Sequence, residues 1–297
     1  MKILNFGSLN IDHVYDMEHF VKAKETVSAM NYHLQIGGKG LNQSVALARA
    51  KMKVYHAGKI GADGTMLCAY LEENGVDTSY IRESGKASGH AIIQVVDGEN
   101  CIIVYGGANR DIDAEMIEDV LSDFEQGDLL LQNEISNVDV LIQKAHAKGM
   151  KIVLNPSPID ESLLKGPVAA CDILLLNEVE GAALAACAGN SYEEIIHALT
   201  KRYPQMEIVL TCGAQGAFAY QKGNFLHQDA FHVTAVDTTC AGDTFTGFYL
   251  SARIRGCGIK EALMIACKAS SFSVQKQGAA KSIPAWDEVI QALAEKE

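Results

Sequence analysis

Apolar positions along this 297-residue chain fall into two alternating patterns: short continuous runs, and longer stretches where apolar side chains recur every three or four residues. The first marks strands buried on both faces, the second the helices that cover them. From about residue 112 the alternation is regular. It predicts helix 113–121, strand Asp128–Leu131, helix 137–148, strands Lys151–Leu154 and Asp172–Leu176, helices 178–187 and 191–202, strand Ile208–Leu210, helices 243–255 and 260–276, and a last helix from Trp286. The N-terminal part begins the same way, with strand Ile3–Gly7, helix Ser44–Lys51, strand Val54–Gly58 and helix Met66–Glu73, which closes at Asn74-Gly75. Helix-separated apolar strands predict an α/β fold: a doubly wound, mostly parallel sheet with helices on both faces.

Two stretches break the pattern. Residues 13–36 hold short extended pieces, Thr26–Met30 and His33–Ile36, without helical periodicity. Ala91–Val96 and Cys101–Tyr105 flank Asp97-Gly98-Glu99-Asn100, a hairpin signal inside a chain otherwise made of β–α alternation. Both are assigned to a separate small sheet, with strands within about 12–37 and 90–106; the core is drawn from 1–11, 38–89 and 107–297 of a single domain.

Composition narrows the function without naming it. The chain is 48% hydrophobic and 21% charged, enough for one sizeable core. Its net charge of −12 is spread along the sequence, so its long-range field repels nucleic acid and anionic membrane surfaces. Eight cysteines contain no C-x-x-C pair and most sit among apolar neighbours, which fits reduced thiols in a cytoplasmic protein. The opening residues MKILNFGS meet Asp12 and His13 too soon for a signal peptide or membrane span.

The candidate chemistry lies where strands end and helices begin. Asn10 and Asp12 follow the first strand, Glu134 follows Leu131, Asn155-Pro156 follows Leu154, Asn177 and Glu180 follow Leu176, and Thr211 to Gly216 follows Leu210. Ligands of open parallel sheets collect at that edge. Taken singly, these residues are also ordinary caps, turns or surface charges. Gly37-Gly38-Lys39-Gly40-Leu41-Asn42 opens one helix, without the spacing of a nucleotide P-loop. Val236 to Gly247 feeds another: Cys240, Ala241 and Gly242 are small enough to let an anion reach the unpaired N–H groups of a first helical turn. Asp243 is then either the cap of that helix or a base beside an anion-binding turn.

Six motifs taken in order carry a resemblance over essentially the whole chain. They are Gly7-Ser8-Leu9-Asn10-Ile11-Asp12, Gly37-Gly38-Lys39-Gly40-Leu41-Asn42-Gln43, Asn155-Pro156-Ser157-Pro158, Asn177-Glu178-Val179-Glu180, Thr211-Cys212-Gly213-Ala214-Gln215-Gly216 and Asp237 to Phe245. The chain resembles the ribokinase family of sugar kinases. The resemblance implies ATP-dependent phosphorylation of a small sugar, D-ribose at O5. Another sugar (deoxyribose or a fructose type) or a nucleoside is the alternative acceptor, and a non-catalytic sugar-binding regulator the alternative from another class. It implies that Asp243 is the general base and that the Cys240, Ala241, Gly242 and Asp243 backbone forms an anion hole. Asn10, Asp12, Gly38, Lys39, Asn42 and Glu134 would hold the sugar. Asn177, Thr211, Gly213, Gly216 and Gly242 would line the nucleotide, with Glu180 reaching Mg²⁺ through water. Asp237, Thr239, Ser273, Lys276, Gly278 and Ser282 would surround a potassium ion. It further implies a lid closing over the sugar and a homodimer formed through the lids. Cys240 and Cys267 depart from the family's commoner residues, Gly or Ala at the first and Asn near the adenine at the second.

Overall fold

The computed structural model describes residues 2–124, 126–187 and 191–295. In chain order its elements are β1 (Lys2–Phe6), β2 (Asn10–Asp16), β3 (Asn31–Gly37), α1 (Lys39–Arg49), β4 (Lys53–Ile60), α2 (Thr65–Glu73), β5 (Asp77–Glu83), β6 (Gly89–Val96), β7 (Glu99–Tyr105), α3 (Ala114–Asp123), β8 (Asp128–Gln132), α4 (Val138–Ala147), β9 (Lys151–Asn155), α5 (Glu161–Lys165), β10 (Ile173–Asn177), α6 (Glu178–Ala185), α7 (Tyr192–Arg202), β11 (Glu207–Thr211), β12 (Ala217–Gln221), β13 (Asn224–Gln228), α8 (Ala241–Ile254), α9 (Ile259–Ser273) and α10 (Trp286–Ala294).

The main sheet has nine strands in the order β13-β12-β11-β10-β9-β8-β1-β4-β5. The seven from β5 to β11 are parallel, and the β12–β13 hairpin adds an antiparallel edge. Successive residues of one strand serve opposite faces. Leu130 and Leu175 pack with α1, α2, α8, α9 and α10, whereas Leu129, Leu131, Leu174 and Leu176 pack with α3 to α7. That is why these strands read as unbroken apolar runs. Strand β1 pairs with β4 on one side and β8 on the other, so the winding reverses there and a crevice opens beyond the strand ends.

The second sheet has the order β3-β2-β6-β7. Its β6–β7 turn places Asp97 (φ 50°) and Gly98 (φ 84°) in the left-handed region that a tight hairpin of this twist requires. Met30, Tyr32, Leu34, Ile92 and every apolar residue from Ile102 to Tyr105 are exposed on it.

Some expectations fail for physical reasons. Thr26–Met30 is not a strand: the β2–β3 ladder ends at the pair Asp16 and Asn31, and beyond it only Met30 N–H reaches β2, at the Asp16 carbonyl. Helix α1 begins at Lys39, five residues before the expected Ser44, because Gly38 at φ 94° turns the chain at once and Leu41 N–H bonds to the Ser8 carbonyl. The small sheet also takes in Asn10 and Ile11, expected in the core, because β2 begins at Asn10. Strand β5 and the β12–β13 hairpin have no counterpart among the predicted elements.

Candidate active site

Asp243 is decided by its place in α8. The cap of that helix is Cys240, left-handed at φ 67° and making no side-chain cap bond, so Asp243 is the third residue inside. Its carboxylate is buried and caps nothing. Oδ2 accepts from Asn42 Nδ2 at 3.0 Å, and Oδ1 accepts from Gln43 Nε2 at 2.9 Å. Burial raises its pKa, and Lys39, Gln43 and Asn42 oppose the shift without cancelling it.

The first turn of α8 keeps open N–H groups. Ala241 N–H bonds back to the Thr238 carbonyl at 3.3 Å and Thr244 N–H to the Cys240 carbonyl at 2.9 Å. Among the described residues no group accepts from the N–H of Gly242 or Asp243, which add to the positive end of the helix dipole. Burial pushes the Cys240 thiol well up, so it stays protonated and puts no negative charge into the turn.

The crevice above β1 and β8 gathers the other polar groups. Glu134 accepts from Ser8 Oγ at 2.5 Å and from Lys39 N–H at 2.9 Å, tying the loop after β8 to the start of α1. Gly40 makes that approach possible, since a Cβ there would stand 2.3 Å from Ser8 N. Lys39 is half-buried. Burial alone would lower its pKa, but Asp243, Glu134 and Glu180 together raise it, so the ammonium is secure. Asp12 is pushed up to about 7, first by burial and then by the neighbouring Glu134 charge. Asn10 Oδ1 accepts from Asn109 Nδ2 at 2.7 Å. Asn42 Oδ1 is buried with no hydrogen-bond partner, an acceptor aimed at nothing in the protein.

Two adjoining cavities of about 330 and 340 Å³ share Thr211, Gly213, Thr238, Ala241 and Gly242. The polar one runs from Lys39 and Asp243 to Asn177, Glu178 and Glu180; the apolar one is walled by Gly216, Phe231, Val233, Phe245, Cys267 and Val274. Asn177 and Glu180 form a reciprocal capping box at α6, at 2.9 and 3.1 Å, and still line the polar cavity. Capping the helix does not keep them from the cavity wall. Beside α8, Asp237 Oδ1 accepts from Thr239 N–H and Oδ2 from Gly278 N–H, each at 2.9 Å, which joins the loop before α8 to the one after α9. Burial acts to raise the Asp237 pKa, and these hydrogen bonds outweigh it and lower the value. Ser273 and Ser282 hydroxyls meet at 2.8 Å on the far side of that loop, and Lys276 N–H bonds to the Ser273 carbonyl at 3.1 Å.

This arrangement has close counterparts. The model of the pfkB family of carbohydrate kinases matches residues 1–286. The chain belongs to that family. Haemophilus influenzae ribokinase is 35% identical over 297 residues, covering 97% of this chain and 96% of the relative. A solved structure of Arabidopsis thaliana ribokinase with ribose and ATP superposes with a TM-score of 0.86 at 30% identity, covering 98% of both chains. Thermotoga maritima ribokinase superposes with a TM-score of 0.88 at 29% identity over 99% of both.

For this pfkB-family chain, the residues singled out from the sequence converge on one crevice and its flanking loops. Sequence reasoning missed Ser8, Asn109 and the buried amides of Asn5, Gln43 and Gln132, which hold the crevice residues from behind. One signal was available: Asn5 interrupts and Gln132 ends an apolar run, and a buried amide must find partners.

Proposed function

We propose that this pfkB-family chain transfers the γ-phosphoryl group of ATP to the O5 hydroxyl of D-ribose. The observation that carries the reading is Asp243, a buried carboxylate held as an acceptor by two amides beside an open helix N-terminus. Asp243 takes the hydroxyl proton as O5 attacks, and the Gly242 and Asp243 N–H groups face the phosphoryl oxygens in transit. The raised pKa of Asp243 brings it nearer neutrality and strengthens it as a base. Ribose hydroxyls lie among Asn10, Asp12, Gly38, Lys39, Glu134 and Asn42, whose orphan Oδ1 would accept one of them. The polar cavity takes the phosphates, past Asn177, Thr211 and Gly213, and the apolar cavity beside Gly216 and Cys267 takes the base. Similarity to ribokinases, one of them solved with ribose and ATP, supports this pair of substrates.

Two ions belong to the reading. Among the described residues no three His, Cys, Asp or Glu side chains gather as a metal cluster, so Mg²⁺ would arrive on the nucleotide, with Glu180 the buried carboxylate able to reach it through water. Asp237 already ties together the two loops that carry Thr239, Ser273, Lys276, Gly278 and Ser282, a donor set of carboxylate, hydroxyl and carbonyl oxygens suited to potassium. Mg²⁺ would neutralise phosphate charge, and K⁺ would stiffen the loops that seat α8. Release of ADP from ATP and Mg²⁺ should be fastest with ribose among pentoses, hexoses and nucleosides, and faster in potassium than in a bulky organic cation at equal ionic strength. A better hexose or nucleoside would remove ribose, equal rates in both salts would remove the cation, and no ADP with any acceptor would leave a sugar-binding regulator.

The small sheet closes over the sugar as a lid, excluding water that would compete for the phosphoryl group. Its exposed apolar rows, including Ile103 and Val104 at 59% and 65% exposure, favour a homodimer in which two lids cover each other. Light scattering at micromolar concentration should read a dimer, and Ile103→Lys should shift it to monomer; a parent chain already monomeric would exclude this contact. Among the described residues no helix is long and apolar enough to cross a membrane. All eight cysteines are free, which suits a reducing cytoplasm.

A further inference from the structure

Behind Asp243 lies a chain of side chains, of which Asn155 alone lines the polar cavity. Gln43 Nε2 donates to Asp243 Oδ1 at 2.9 Å and to Asn155 Oδ1 at 3.0 Å. Gln132 Nε2 donates to Gln43 Oε1 at 2.7 Å and to Asn5 Oδ1 at 3.0 Å. Asn5 Nδ2 donates to the Gly40 carbonyl at 2.7 Å and to Ser44 Oγ at 2.8 Å, and Ser44 Oγ meets His56 Nδ1 at 2.8 Å. His56 Nε2 faces the Gly7 carbonyl at 3.2 Å. Asn5, Gln43, Ser44, His56 and Gln132 are all fully buried.

The bonds in this relay can run in one direction. A backbone carbonyl only accepts, so His56 carries its proton on Nε2 and accepts at Nδ1, which commits the Ser44 hydroxyl to donate to it. Burial lowers the His56 pKa to about 4, which keeps the ring neutral and this tautomer in place. Ser44 Oγ must then accept from Asn5, whose Nδ2 is fixed independently by the Gly40 carbonyl. Asn5 therefore offers Oδ1 to Gln132, Gln132 offers Nε2 to Gln43, and Gln43 is left with Nε2 facing Asp243. The far side agrees: Asn155 Nδ2 donates to the Leu175 carbonyl at 2.8 Å, so it turns Oδ1 to Gln43. Three carbonyls on three separate segments thus set one amide. Both N–H bonds of each of the three relay amides are used. Gln132 Oε1 is the atom left without a partner, an imbalance that persists because a flip would break both bonds its Nε2 makes.

We infer that Gln43 is a positioning residue for phosphoryl transfer, holding Asp243 Oδ1 from behind in a sense dictated by a buried relay anchored at His56. The inference rests on Asp243 being the base. With Oδ1 pinned and Oδ2 shared with Asn42, the carboxylate cannot rotate, and it presents one oxygen to the sugar hydroxyl in a fixed line. A relay of neutral amides does this without adding charge beside the anion turn, which a Lys or Arg in place of Gln43 would do.

The test is Gln43→Met, similar in length and without a donor, assayed alone and in an Asp243→Asn background. Alone it should lower kcat roughly 10- to 100-fold, the worth of a hydrogen bond to a buried charge, with KM for ribose and ATP within about threefold. The acidic limb of its kcat profile should move to higher pH, because the carboxylate loses a donor while the other charged groups facing it, Lys39 and Glu134, and the Cys240 thiol stay as they are. In the Asp243→Asn background the same substitution should cost less than about threefold, since its effect passes through the carboxylate. An equal loss in both backgrounds, or a raised KM at unchanged kcat, overturns the inference and leaves Gln43 as packing. Should Asp243→Asn itself retain parental turnover, it is the base that fails, a separate outcome. If thermal melting shows that Gln43→Met does not fold, Gln132→Met, one link further back, should show the same dependence on Asp243 with a smaller loss, and an equal loss with and without the carboxylate overturns the inference there too.

Discussion

Asp243→Asn should lower kcat by roughly 10²–10⁴-fold, the range typical of a positioned general base, while nucleotide KM and the thermal midpoint change little. The fold has little reason to notice the change, because Cys240 and not Asp243 begins α8. The new amide can also be accommodated. Its oxygen accepts from Gln43 Nε2, and its nitrogen finds an acceptor if Asn42 turns its presently orphan Oδ1 inward. What disappears is the ability to take a proton at the point where the anion turn holds the phosphoryl group. A variant that turns over within a few-fold of the parent would reduce Asp243 to a structural residue and remove the observation on which the proposed function stands.

Asp12 should control both pH dependence and hydroxyl recognition. Its pKa near 7 leaves a large protonated fraction in slightly acidic solution. Sugar hydroxyls donate best to the carboxylate form, so kcat/KM for ribose should climb as pH rises through about 7, and Asp12→Asn should flatten that limb. Without sugar the sign reverses: a carboxyl whose pKa is higher folded than unfolded makes stability fall as pH rises from about 4 to about 7. A substrate lacking one hydroxyl leaves a buried acceptor unmet at about 1–3 kcal/mol, so ribose should exceed 2-deoxyribose roughly 5- to 150-fold in kcat/KM. Asp12→Ala should shrink that ratio as well as weaken ribose. Parallel loss with both sugars would mean that Asp12 supports the lid strand without reading a hydroxyl.

The sheet was legible where burial on both faces makes strands apolar throughout, as at Leu129–Leu131 and Leu174–Leu176. Strand β5 escaped notice because it lies at the edge, half wet, with charged residues at both ends, and the β12–β13 hairpin because its outer strand is mostly exposed. Within the site, residues that close a strand or open a helix stood out from the apolar runs. Gln43 did not, because it sits in an ordinary helix and its amide partners come from β8 and β9, with Asn5 of β1 joined through Gln132, a grouping that only the folded sheet brings together. Thr26–Met30 misled because β-branched and apolar side chains signal a willing strand without saying whether an edge is left to receive it.

The two residues that grip Asp243 lie 201 and 200 positions before it along the chain. During synthesis, helix α1 with Asn42 and Gln43 leaves the ribosome long before the strand ends and the anion turn that complete the crevice. A nascent or prematurely ended chain therefore carries the two amides without a carboxylate for them to hold. On the mechanism proposed above, group transfer waits for the C-terminal third, which brings Asp243 and the first turn of α8 to the crevice.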